Sequence, residues 1–345
     1  MNLQAYWYRD RLHPLLLPLL PLSAAFGLLT RLRRWSYRRG LTKTRCFTLP
    51  VIVVGNISVG GTGKTPLVLA LAKALKEQGR NPGVALRGVG GKKLTRPTWV
   101  RADSNPFEVG DEAVLIATNT SCPVAACVDR PAAVEALQQA GCDVVLCDDG
   151  LQHYRLARQV EIAVIDGSRY FGNGRLLPAG PLREPLTRLR EVDFIVVNEP
   201  EKTARFAGLA TLPFAGENRQ PFAMRLKTET FRAVHQTSES RARDSFHGQR
   251  AHAVAGIGNP SRFFELLTRL GVDLMPHRFP DHHPYQSSDL DFSDTLPILM
   301  TEKDAIKCKA LPFAEAAKAR QWFLRVEMEL SPEFKQALAD KLKRE

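Results

Sequence analysis

Short apolar runs separated by amphipathic stretches dominate the chain from residue 51 to about residue 200. Val51-Ile52-Val53-Val54 is the first, and others recur at residues 84–86, 124–128, 144–147, 162–165 and 194–197. Between several of them, residues 67–77, 112–118 and 131–140 space their apolar positions as helices do. Near-continuous apolar strands alternating with helices predict an α/β fold, with a mostly parallel sheet covered by helices on both faces. Such sheets place their chemistry beyond the carboxyl ends of the strands. Residues 166–185 follow neither period and hold several glycines and prolines, predicting a long loop of the kind that carries function. Farther on, residues 222–236 alternate as extended chain, 251–257 read as a strand, 262–270 as a helix and 298–300 as a last strand. The Lys/Glu/Ala-rich tail from residue 314 reads as solvated helix. A boundary near residue 222 then divides the chain into an N-terminal segment (1–45), a core (46–222) and a second, smaller α/β domain (223–345).

The N-terminal segment differs in kind. Residues 12–29 are strongly apolar, interrupted by Pro14, Pro18 and Pro21 and flanked by Arg9, Arg11, Arg31, Arg33, Arg34, Arg38 and Arg39. The run is slightly short for a span. It reads as a membrane-associated helix whose leucines enter the headgroup boundary, with arginines and Trp7, Tyr8, Trp35 and Tyr37 near the polar layer. A helix packed on the chain's own core would use the same leucines. The excess of 48 basic over 36 acidic residues, a formal charge of +12, favours an anionic partner. Six cysteines without a metal-ligand arrangement read as free thiols of a reducing compartment.

The chemistry begins after the first strand. Asn56-Ile57-Ser58-Val59-Gly60-Gly61-Thr62-Gly63-Lys64-Thr65-Pro66 is a glycine loop between a strand and a helix. Its backbone N–H groups can cradle phosphates, Lys64 can reach the β/γ-phosphates, and Thr65 can hold their Mg²⁺. Ser58 stands where the strict pattern has glycine. Val144-Val145-Leu146-Cys147-Asp148-Asp149 ends a strand in two acids, where a phosphate-loop enzyme keeps its metal carboxylate. The division of labour between Asp148 and Asp149 stays open.

Other residues carry weaker signals. Asp111 is either a helix cap or a general base, and the run Asp281-His282-His283 is rich in groups that pair with a carboxylate. Arg87 follows a strand end, and Asn173, Arg175 and Arg183 lie in the long loop, where cations can meet a phosphorylated substrate. Thr301-Glu302-Lys303-Asp304 imperfectly mimics a guanine-reading strand end, so the alternative is a membrane-associated GTPase or ATPase that hydrolyses nucleotide without a lipid acceptor.

Taken in order, these phrases resemble the tetraacyldisaccharide 4'-kinase (lipid A 4'-kinase) family. The resemblance rests on the glycine loop, Arg87-Gly88-Val89-Gly90, Val109-Gly110-Asp111-Glu112 and Asp148-Asp149-Gly150-Leu151-Gln152-His153. The long loop from Phe171 to Glu184, Gly258-Asn259-Pro260-Ser261-Arg262-Phe263, the stretch from Phe279 to Tyr285 and Thr301-Glu302-Lys303-Asp304 complete it. Ser58 is normal within the family, whereas Val89 replaces a usual aromatic. The resemblance implies a kinase with a phosphate-loop NTPase-type fold that uses ATP and Mg²⁺ on tetraacyldisaccharide 1-phosphate. It also implies an anionic membrane surface at the cytoplasmic face of the bacterial inner membrane, no nucleic acid partner, and a catalytic pair of Asp111 with a histidine, His282 preferred over His283.

Overall fold

The computed structural model describes residues 4–9, 12–198, 221–236 and 238–343. The chain forms two compact units: Met1–Ala85 with Arg130–Arg225 and Glu329–Glu345, and Leu86–Asp129 with Leu226–Met328.

The first unit is built on parallel strands β1 (Val51–Gly55), β2 (Pro82–Leu86), β5 (Val144–Asp148), β6 (Val160–Asp166), β7 (Phe194–Asn198) and the start of β8 (Phe222–Ala233), in the order β2-β5-β1-β6-β7-β8. Every residue of β1 and β5 is buried, as expected for strands covered on both faces. The helix Lys64–Glu77 buries Leu67, Val68, Leu71 and Leu75, and the helix Arg130–Gln139 buries Ala133, Val134 and Leu137. Placing β1 centrally brings its carboxyl end beside those of β5 and β6, with Val54 opposite Asp148.

The second unit holds β3 (Thr98–Val100) antiparallel to β4 (Val124–Ala126), and a sheet ordered β11-β10-β12-β13-β8. Strands β10 (Arg250–Ala255), β11 (Asp273–Arg278), β12 (Ile298–Thr301) and β13 (Gln321–Leu330) run parallel, and β9 (Ser240–Ala242) pairs antiparallel with β8. One side of its core gathers Phe231, Phe246, Leu267, Leu299 and Trp322; another gathers Val254, Tyr285, Ile298 and Met300.

Three features differ from the sequence reading. The second unit takes Leu86–Asp129 from the middle of the chain, while the last helix (Pro332–Lys343) belongs to the first unit, where Phe334 packs on Phe194 and Phe222. Periodicity identifies elements but not their neighbours, so contiguous segments could not show this interleaving. The tail is not all helix: β13 interrupts it, with Trp322 and Leu324 each 2% exposed. There the sheet overrides a Lys/Glu/Ala-biased composition. Finally, the prolines do not break the N-terminal segment, because Pro14 and Pro18 lie in a 3₁₀ turn (Pro14–Leu19) and Pro21 in the first turn of the helix Leu20–Arg38, where no intrahelical N–H is required.

The 3₁₀ turn and the helix together turn a narrow face inward. Leu16 is buried, Ser23 Oγ donates to the Leu176 carbonyl at 2.8 Å, and a Cβ on Gly27 would meet the Leu176 side chain at 2.7 Å. Leu15, Leu17, Leu22, Leu28, Leu29, Leu32 and Trp35 remain exposed. Among the described residues, only Pro14–Arg38 is long and apolar enough to cross a membrane by length and composition.

Candidate functional site

The glycine loop leaves β1 and enters the helix Lys64–Glu77 through Gly63, whose φ of +93° suits glycine alone. A Cβ there would lie 2.1 Å from Asn198 Nδ2, a group held in place by donating to the Thr62 carbonyl at 3.0 Å. The long loop zips onto the start of the glycine loop: Val59 N donates to Pro181 O at 2.8 Å and Arg183 N to Ile57 O at 2.7 Å, and Ser58 bridges to Leu182. Asn56 is fully buried, and its Nδ2 reaches Gly60 O at 3.4 Å and Thr62 Oγ1 at 3.2 Å. Asn56, Ser58 and Val59 therefore shape the loop, while Gly60, Gly61, Thr62, Gly63, Lys64 and Thr65 form its presenting turn and Pro66 continues the helix.

Both strand-end acids meet this turn. Thr65 Oγ1 donates to Asp148 Oδ2 at 2.9 Å, and Lys64 Nζ lies 3.4 Å from Asp149 Oδ1. Arg183 Nη1 sits 3.3 Å from both Asp149 oxygens. Arg130, which sequence reasoning passed over, is 5% exposed and donates to the carbonyls of Asp148 and Asp149 at 2.9 Å each. That grip supports Asp149 at φ +49°, an uncommon conformation for a residue with a side chain. Burial pushes the Asp149 carboxyl up, but Lys64, Arg183 and Arg130 outweigh it and hold the group down at about 2. A hydroxyl and two carboxylates are hard oxygen donors, few enough to leave room for phosphate and water, and this set fits Mg²⁺.

Behind the loop, Gln152 Nε2 links Asn56 O at 2.9 Å to Glu184 Oε2 at 2.7 Å, and Tyr154 donates to the other Glu184 oxygen. Glu184 is 3% exposed. Gln152 and Glu184 occur in the phrases that carry the family resemblance, but their pairing is invisible in one dimension.

The second unit assembles a separate constellation. Gly110 precedes the helix Asp111–Asn119, so Asp111 occupies the first turn rather than the cap. Its carboxylate is 2% exposed, and His282 Nδ1 stands 3.0 and 3.1 Å from its two oxygens. His282 reaches it with φ +59°, and Gly90 clears the approach: a Cβ there would lie 3.0 Å from His282 Nδ1. Lys307 and Lys303 lie 3.7 and 4.0 Å from Asp111 Oδ2, and Lys303 also pairs with Glu112 at 3.1 Å and Asp281 at 3.2 Å. Burial raises the Asp111 carboxyl, yet the His282 hydrogen bond and the two ammonium groups leave it below its ordinary value. The same hydrogen bond raises His282 against burial and the charge of Lys303. His283 turns elsewhere, to Asp289 Oδ2 at 3.0 Å.

Asp304 is fully buried, accepting from Gly256 N at 3.0 Å and Thr301 Oγ1 at 2.6 Å and pairing with Lys307 at 3.1 Å. A carboxylate so engaged is not free to read a guanine base. Arg87 and Arg175 are exposed, and Asn173 ties back to its own loop through Ala179 O at 2.9 Å and Arg175 N at 3.1 Å.

The family model for Tetraacyldisaccharide-1-P 4'-kinase matches residues 15–343. The chain is 47% identical over 346 residues to the tetraacyldisaccharide 4'-kinase of Stenotrophomonas maltophilia, covering 98% of this chain and 95% of that protein. It is 48% identical over 339 residues to that of Xanthomonas oryzae pv. oryzae, covering 98% and 94%. The crystal structure of "apo" form LpxK from Aquifex aeolicus in complex with ATP superimposes with a TM-score of 0.73 at 27% identity, covering 95% of this chain and 99% of that one. With a phosphate loop, paired strand-end acids and an Asp–His pair all present, the chain belongs to the tetraacyldisaccharide-1-P 4'-kinase family.

Proposed function

We infer that this protein transfers the γ-phosphate of ATP to the 4'-hydroxyl of tetraacyldisaccharide 1-phosphate, a step of lipid A biosynthesis. The observation that carries the site assignment is the buried Asp111 carboxylate held by His282, a base with a fixed orientation on a chain that also has a phosphate loop. Phosphoryl transfer has little covalent chemistry for the protein to perform; it needs alignment and neutralised charge. The Gly60–Thr65 turn and Lys64 hold the triphosphate, and Arg183 adds positive charge beside Asp149. Thr65, Asp148 and Asp149 would hold Mg²⁺, which would supply further neutralisation of the phosphate charge. Asp111 accepts the proton of the attacking hydroxyl, and His282 orients the carboxylate while Lys303 and Lys307 keep it ionised. Asp111 and His282 act as a coupled pair. Arg87 and Arg175 are each exposed cations suited to a phosphorylated acceptor, and Asn173 shapes the loop that carries Arg175.

The exposed leucines of the helix Leu20–Arg38 support docking on an anionic bilayer, with arginines at the headgroup level. ATP supply and a lipid acceptor together favour the cytoplasmic face of the inner membrane. The test is transfer of labelled γ-phosphate from ATP to tetraacyldisaccharide 1-phosphate in detergent micelles. Labelled lipid is expected, and nucleotide turnover without it would reject the kinase reading in favour of a hydrolase.

A further inference from the structure

The residues before the apolar helix do more than lead into it. Trp7 is 7% exposed; its Nε1 donates to Pro178 O at 3.2 Å and its carbonyl accepts from Asn173 N at 2.7 Å. The long loop is shaped to admit this contact. Gly172 has φ +54°, and a Cβ there would lie 2.5 Å from Trp7 O and 3.1 Å from Tyr8 Cδ1.

One residue on, the chain touches the phosphate loop itself. Tyr8 donates its hydroxyl to Val59 O at 3.3 Å, and its ring lies under the Arg169 guanidinium at 4.9 Å. Arg169 in turn donates to Gly61 O at 3.3 Å and to Asp166 Oδ2 at 3.0 Å. In a trans peptide the carbonyl and the following N–H point in opposite directions. Holding Val59 O from one side therefore aims Gly60 N–H to the other, and holding Gly61 O does the same for Thr62 N–H. A phosphate loop works only when N–H groups, not carbonyls, face the anion.

We propose that the N-terminal segment, fastened to the long loop by Trp7, clasps the phosphate loop through Tyr8, a positioning residue that with Arg169 turns the Gly60 and Thr62 N–H groups toward the nucleotide's phosphates. The N-terminal segment is then part of the nucleotide site as well as an anchor, and removing it costs ATP affinity in addition to membrane affinity. This rests on the nucleotide reading of the loop.

The test uses the full chain in detergent micelles, titrated with a fluorescent ATP analogue and assayed for KM of ATP and of the lipid acceptor. Tyr8→Phe keeps the ring under Arg169 and loses one hydrogen bond, so the Kd for the analogue rises about five-fold. Tyr8→Ala loses both contacts and raises it about twenty-fold. KM for ATP follows, KM for the acceptor stays at its wild-type value, and flotation on anionic vesicles is unchanged. Wild-type Kd in Tyr8→Ala overturns the clasp, as do equal rises in both KM values, which would mark general loosening. Failure of the wild-type protein to bind the analogue would instead overturn the nucleotide reading of the loop.

Discussion

His282 Nδ1 lies 3.0 and 3.1 Å from the two carboxylate oxygens of Asp111, joining a half-buried imidazole to a buried carboxylate 171 positions away. A pair of this kind is expected to serve proton removal rather than nucleotide binding. Asp111→Asn keeps the shape and loses the base, so kcat for lipid phosphorylation falls by about 10²–10⁴. The Kd for ATP, measured by titration, stays near wild type; a matching loss of ATP affinity would move Asp111 to the metal or nucleotide.

The same contact has a pH signature in stability. The hydrogen bond to Asp111 raises the pKa of His282. Its contribution is then fully present below the ordinary imidazole value, about 6.5, and is lost as pH rises through the raised value. Asp111 is shifted down, so its contribution is present above the ordinary carboxylate range and lost as pH falls through the depressed value. Thermal melting should show wild type exceeding His282→Asn by more at about pH 5.5 than at about pH 8.5. A gap that is larger at the alkaline end would contradict the pairing.

Asp149 joins Lys64 and Arg183 and stays ionised down to about pH 2. Removing its charge in Asp149→Asn leaves both cations without their shared partner and weakens the oxygen set offered to Mg²⁺. Activity should fall at low Mg²⁺ and recover in part as Mg²⁺ is raised, in a titration at saturating ATP. Identical Mg²⁺ dependence in the two proteins would assign the metal to Asp148 and Thr65 without Asp149.

Gly63 cannot accept a side chain, given φ +93° and an Asn198 amide 2.1 Å from the Cβ position. Gly63→Ala is expected to cost about 1–3 kcal/mol of backbone strain at the loop, displacing the Thr62 carbonyl from Asn198 Nδ2. A loss of ATP affinity of more than about ten-fold should follow, since about 1.4 kcal/mol is a factor of ten.

On the exposed face of the helix Leu20–Arg38, replacing Leu28, Leu29 and Leu32 together by serine removes apolar area that a bilayer would bury. Fully buried leucines are worth about 1.5–3 kcal/mol each, so even partial insertion predicts at least a ten-fold weaker partition onto anionic vesicles. Flotation equal to wild type would place the membrane contact elsewhere.

The alternation of apolar runs and helices, the glycine loop and the acids at the end of β5 were legible because each is a local pattern. Asp111 and the Asp281-His282-His283 run were visible as candidates, but the choice of His282 came from family resemblance. In the fold the choice follows from left-handed backbone at His282 and the space at Gly90, while His283 turns to Asp289. Strand β13 has no clear local signal, because Lys/Glu/Ala-rich surroundings mask the short run Trp322-Phe323-Leu324.

Local covalent sequence thus specified the glycine loop, the strand-end acids and the apolar, arginine-flanked helix, because each depends on residue type at short spacing. Arg130 under the Asp148 and Asp149 carbonyls, Gln152 between Asn56 and Glu184, and Tyr8 on Val59 could emerge only from folding. Each joins backbone or side-chain groups far apart along the chain, and the reach of a hydrogen bond is set by the packing of strands and loops, which no one-dimensional spacing encodes.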